Sequence, residues 1–291
     1  MIPTRLPRAN QPAGVRRQEQ AGEKPSLRPE TAARNLNLFE FERNFSYVAA
    51  LRSRSSDMIL TPIEPDRLPA LLQRFARALG EGAARDVFRR IARAADAARA
   101  SGPTAAAHHR DALALATRVG TAVRPGSPRL DFSWDGKALR GDTEAYVLLH
   151  EVAHFQLAAP QRRQAIDFGL GPGPETGDRA RAAAAASLFH LAAEREEAMA
   201  SLLGILWEAS LGHPALASFL DQNWLEGAER PGTAEHFRST LAKLSAGGFV
   251  DAAGYPTTRL RTAPDGGQDK ALRGPAKWIW MARQRWKVVG S

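Results

Sequence analysis

Residues 146–157, YVLLHEVAHFQL, place two histidines four positions apart inside a run that is otherwise almost wholly apolar. No other feature constrains the fold as tightly. Four residues are a little over one helical turn, so on a helix His150 and His154 lie one above the other on a single face. Val147, Leu148, Leu149, Val152 and Phe155 occupy the remaining faces, the pattern of a buried helix. The spacing is that of H-E-x-x-H, in which both imidazoles reach one ion while Glu151 is free to move protons.

The rest of the chain reads as helical. Leu68, Leu71, Leu72, Phe75 and Leu79 fall at helical spacing, and Val87, Phe88 and Ile91 begin a second helix after Gly80 and Gly82. Residues 104–119 continue in the same character. Leu130, Phe132 and Trp134 alternate with polar residues before Asp135-Gly136, which predicts a short strand and turn. Asp142 or Thr143 can cap the histidine helix. Downstream, a Gly/Pro loop at 169–177 leads into a long Ala-rich helix expected over about 178–210, with further helices at 214–224 and 233–246. The expected fold class is mainly α: a helical metal-binding domain of H-E-x-x-H type with one or two short strands.

Composition sorts the ends from the middle. Of a net charge of +9, residues 1–34 carry +4 and residues 255–291 carry +6. The division expected is a disordered basic tail at 1–34, an N-terminal helical region at 35–125, a metal-binding catalytic domain at 126–254 and a basic Trp-rich tail at 255–291. Basic ends suit an acidic partner, or serve solubility alone. Trp278, Trp280 and Trp286 interleave with Lys277, Arg283, Arg285 and Lys287, a mixture that stacks on nucleic acid or packs on a core; nucleic acid is the less expected partner. No apolar run reaches the roughly 18–20 residues of a spanning helix. There are no cysteines, which excludes disulfides, thiolate catalysis and thiolate-ligated metals. A cytoplasmic location is the simplest expectation.

Two imidazoles hold an ion weakly, so a third ligand is expected. In HLAAEREEAMASLL, His190, Glu194 and Glu197 sit at i, i+4 and i+7 on one helix face. Glu194 is the expected ligand and Glu197 the alternative. His190 packs passively, lines the pocket or holds a second ion. Asp167 is a candidate partner for the far N–H of a ligating imidazole, or a turn cap. Arg162 and Arg163 are candidates for binding an acidic substrate, or a solvated surface.

The segment from His150 resembles elongation factor P hydroxylase. The likeness is carried by HEVAHFQLAAPQRRQAIDFG, where paired arginines and Asp-Phe-Gly follow the histidine motif, by the Pro174/Gly177 loop, by the acidic helix around Glu194 and by NWLEG at 223–227. It spans residues 145–255, about 110 in all. The loop GLGPGPETG is glycine-rich where that family carries aromatic residues. The resemblance implies an oxygen-dependent, metal-dependent hydroxylase acting on a modified lysine of a translation factor. It implies a site at His150, Glu151, His154, Asp167 and Glu194.

Two chemistries fit one ion held by histidine and carboxylate. Fe(II) on a two-His, one-carboxylate face suits an oxygenase, and the resemblance favours it. Zn²⁺ with Glu151 as base suits a metallopeptidase, the reading that the motif favours when taken alone.

Overall fold

A computed structural model of the chain describes residues 63–93, 98–124, 132–173, 176–228 and 230–265. The expected tail at 1–34, residues 35–62 of the expected N-terminal helical region and the tryptophans beyond 265 lie outside these residues. Among them are eight α-helices and two short strands, as a mainly α chain requires. None of the helices is long and apolar enough to cross a membrane.

The N-terminal layer is α1 (Leu68–Ala78), α2 (Ala83–Arg93) and α3 (Gly102–Val119). Phe75 and Phe88, fully buried on α1 and α2, meet edge to face at 4.8 Å and both pack on Phe219 and Phe237 from the C-terminal half. Such aromatic pairs add about 0.5–1.5 kcal/mol each beyond their buried area. One core thus runs across the boundary expected near residue 125.

Gly120, with φ +87°, ends α3 in a left-handed cap and the chain enters β1 (Ala122–Arg124). β1 pairs in parallel with β2 (Ala138–Arg140), Ala122 opposite Ala138. On its other side β2 meets Trp134 in an antiparallel bridge to Leu139. The Asp135-Gly136 turn is fixed by Asp135 Oδ1, which accepts from the backbone N–H groups of Lys137 and Ala138 at 2.8 Å each. The strand expected at 130–134 is therefore reduced, within the described residues, to this bridge.

Next comes α4 (Ala145–Leu157), the histidine helix. Its N-cap is Glu144 and no side chain caps it, so neither Asp142 nor Thr143 plays the expected part. Asp142 instead pairs with Arg140. Leu148, Leu149, Val152 and Ala153 are fully buried, as a helix apolar on nearly every face demands. Two 3₁₀ turns follow Pro160, at Arg162–Gln164 and Ile166–Gly169.

The long helix expected over 178–210 is two helices, α5 (Arg179–Ala185) and α6 (His190–Leu211). The residues between, Ala186 to Phe189, contain no Gly or Pro; the break comes from tertiary contact. The backbone N–H groups of Ser187 and Leu188 both donate to Gly169 O, at 2.7 and 3.1 Å, and draw the chain out of helical geometry despite its propensity. Then come α7 (Ala215–Asp221) and α8 (Pro231–Ala246).

After α8 the chain returns to the histidine helix. Gln156, fully buried on α4, donates to Thr257 O at 2.7 Å and Arg259 O at 3.0 Å, while Trp207 Nε1 donates to its side-chain oxygen at 2.9 Å. Arg261 N donates to Gln156 O at 2.8 Å. Residues 255–265 are thus fastened to the histidine helix, and a boundary at 254 cuts through that contact.

Candidate metal centre

α4 packs chiefly against α6 and α3. The two helices come close at Gly204, where a Cβ would stand 3.1 Å from His150 Cα. Gly204 and Glu197 are seven residues apart, two turns of one face. The contact thereby turns Glu197 toward the histidines.

His150 and His154 are buried at 7% and 4% exposure. Their Nε2 atoms lie 3.0 Å apart. Glu197 Oε1 is 3.1 Å from His150 Nε2, and Oε2 is 3.2 Å from His154 Nε2. One ligand atom from each of the three residues lies within 4.8 Å of the others, an arrangement able to hold a metal ion. Separations near 3 Å are those that bonds of about 2.0–2.2 Å to one ion produce at roughly right angles. Two ring nitrogens and a carboxylate converging in a buried place need a cation among them, whether proton or metal. The donor set fits an ion.

The electrostatics agree. Burial works against a charge on His154, yet the Glu197 carboxylate overrides it and raises the imidazole to about 9. Burial likewise pushes Glu197 up, but His154 and His150 hold it well below the usual carboxylate range.

Glu151 is raised above its ordinary value by burial, while His154 and His150 draw it down, Glu197 pushes it up and the Ser133 side chain hydrogen-bonds to it. It therefore stands within the field of all three ligand candidates.

An aromatic wall closes one side. Phe168 stacks on His154 at 5.9 Å between centroids, and Trp134 stacks on Phe168 at 5.2 Å. Phe168 reaches this place through a left-handed run, with φ +43° at Asp167, +56° at Phe168 and +68° at Gly169. Two of these are not glycine, a costly conformation that persists only where its surroundings enforce it.

The expected third ligand is corrected. Glu194 is exposed and outside the group, and the position falls to Glu197, one turn further along α6. His190 opens α6 at the surface and is likewise outside the group. All three acids of EREE share one short stretch, and the phase of α6, in which Gly204 faces His150, selects among them.

Asp167 does not support an imidazole. Its carboxylate accepts from Thr176 Oγ1 at 2.7 Å and from the Trp134 backbone N–H at 3.3 Å, and His154 Nδ1 is buried with no hydrogen-bond partner. Burial lifts Asp167 to about 6, against the Thr176 hydrogen bond and with Glu151 adding to the rise. Its part is to lock the left-handed turn.

Arg162 and Arg163 do not face a substrate. Arg162 is buried, paired with Glu196 and with Asp265. Arg163 is spent on Ala158 O at 2.9 Å and Arg261 O at 3.1 Å, with its guanidinium over Phe155. The sequence carried no signal of these partners, since Glu196 lies 34 residues and Asp265 103 residues from Arg162. Trp134 and Phe168 were also missed as wall residues; the cue was an aromatic residue on each side of the histidine helix. Comparison with families of known proteins, with curated proteins and with solved structures finds no match.

Proposed function

We propose that this protein is a metal-dependent hydroxylase that holds Fe(II) through His150, His154 and Glu197. The observation that carries the reading is the convergence of two Nε2 atoms 3.0 Å apart with the Glu197 carboxylate at 3.1 and 3.2 Å. Two histidines and one carboxylate leave open positions on one side of an ion, the arrangement of non-haem iron oxygenases. The segment that resembles elongation factor P hydroxylase supports the same reading, with a lysine of an acidic protein such as a translation factor as substrate. When bound, Fe(II) supplies the oxygen activation that no side chain provides. The chain's own residues do the rest. Glu151, beside the ligands, holds or moves a proton at its carboxyl oxygen. Phe168 and Trp134 exclude water from the His154 side. Access comes past Glu197, whose side chain is 23% exposed against 9% and 5% for the two histidines.

A second reading, a zinc metallopeptidase, is favoured by Glu151. A half-buried carboxyl directly after the first histidine is placed to take a proton from water as it attacks a peptide carbonyl. Elemental analysis of anaerobically purified protein separates the two. One iron per chain with oxygen consumption supports the hydroxylase; stoichiometric zinc with no iron uptake, and chelator-sensitive peptide cleavage, establishes the peptidase instead.

A further inference from the structure

Arg162 holds residues on two sides of the ligand candidates without touching the ligands. Its side chain is 3% exposed and all three guanidinium nitrogens are used. Nη1 donates to Phe168 O at 2.9 Å and to Glu196 Oε1 at 2.9 Å, Nη2 donates to Glu196 Oε2, and Nε donates to Asp265 Oδ2 at 2.7 Å. Asp265 is itself held by Arg261 at 3.2 Å.

Two consequences meet at the centre. Glu196 and Glu197 are neighbours on α6, about 100° apart around its axis. One is drawn to Arg162 and the other to the imidazoles, so the pair fixes the rotation of that turn. Phe168, held by its carbonyl in a left-handed conformation, stands nearly parallel to His154 with 5.9 Å between ring centroids. A ligating imidazole is ordinarily oriented by a hydrogen bond to its other nitrogen. His154 Nδ1 has none, so its plane is set by Glu197 and His150 at Nε2 and by the Phe168 ring on its face.

We propose that Arg162 is a positioning residue of this centre, setting both the Glu197 turn of α6 and the Phe168 ring against His154. The inference rests on reading His150, His154 and Glu197 as a metal site. Lysine cannot replace it, because a single ammonium cannot span a carboxylate bidentately while holding a carbonyl and a second acid.

The test compares wild type with Arg162→Lys, using Co(II) alone as probe. Expected are Co(II) binding about 10–100-fold weaker, a changed visible absorption of the Co(II) protein, and shifted His154 ring resonances in the ¹H–¹⁵N spectrum of the metal-free protein. These are read at a temperature where circular dichroism shows the variant folded, so a loss of stability alone does not move them. A folded variant with wild-type affinity, absorption and ring resonances overturns the proposal. Should Arg162→Lys not fold, Glu196→Gln, which keeps an acceptor but removes the charge, is judged by the same three readouts. Should wild type take no Co(II), the metal reading falls, and the positioning role is decided on the metal-free ring resonances alone: shifted supports it, unshifted ends it.

Discussion

The backbone of His150 lies against Gly204, so close that a side-chain carbon there would stand 3.1 Å from His150 Cα and 3.3 Å from its amide nitrogen. The neighbour is main chain inside a helix and yields little. Gly204→Val is therefore expected to destabilise the fold by about 1–3 kcal/mol through overpacking and to weaken metal binding by moving α6 off α4. Gly204→Ala has a smaller effect, since a helix propensity gain of about 1 kcal/mol opposes the crowding. Urea unfolding and Co(II) titration of both variants measure this.

Glu197→Ala and Glu194→Ala separate neighbouring acids of one helix. Loss of the Glu197 carboxylate should cost more affinity than the roughly 10–100-fold typical of residues behind the ligands. Loss of Glu194, exposed and outside the group, should leave affinity within about twofold of wild type. Calorimetric titration with Zn²⁺ reads both.

Glu151→Gln is expected to keep the ion and lose turnover. A positioned proton-transfer group contributes about 10²–10⁴-fold, so activity should fall within that range while metal content stays at the wild-type level. A fall in metal content would make Glu151 a ligand instead.

The two ends of the centre were not equally readable. The helix, its burial and the paired imidazoles follow from YVLLHEVAHFQL alone, because a period of 3.6 residues decides which side chains share a face. The third ligand depends on the rotation of a second helix about its own axis, and one residue of phase is 100°. Glu194, Glu196 and Glu197 look alike until Gly204 is known to touch His150; the glycine in an otherwise bulky apolar stretch was the available clue. The arginine pair shows the other limit. A buried guanidinium and a solvated one have the same letter, and what distinguishes Arg162 is a carboxylate brought from 103 residues away. The same holds for the break before His190, where hydrogen bonds to Gly169 override a run of alanines.

Stability should fall as pH rises from about 4.5 to about 7 because of Glu208. This carboxyl, 2% exposed on α6, is lifted by burial to about 7, against the pull of Arg99 at 3.5 Å and a hydrogen bond with Ser218, and with Asp221 adding to the rise. The unfolded chain ionises near the ordinary value of 4.5, so between there and about 7 the folded state binds more protons. Stability is greatest below that window and is lost across it, by on the order of 3 kcal/mol. Glu208→Gln should flatten the difference in urea midpoint between pH 5 and pH 8.

The return of residues 255–265 to the histidine helix has a consequence for the order of events at the ribosome. Arg162 is synthesised 103 residues before Asp265. At about 5–20 residues per second, that leaves roughly 5–20 s in which the nascent helix has emerged but lacks its last acid. During this time the guanidinium has Phe168 O and, 34 residues on, Glu196, but not Asp265, and the carbonyls of Thr257 and Arg259 that occupy Gln156 do not yet exist. Ion capture by the nascent chain should therefore lag behind the appearance of its ligands, and the centre gains its full support only once residues 257–265 have been made.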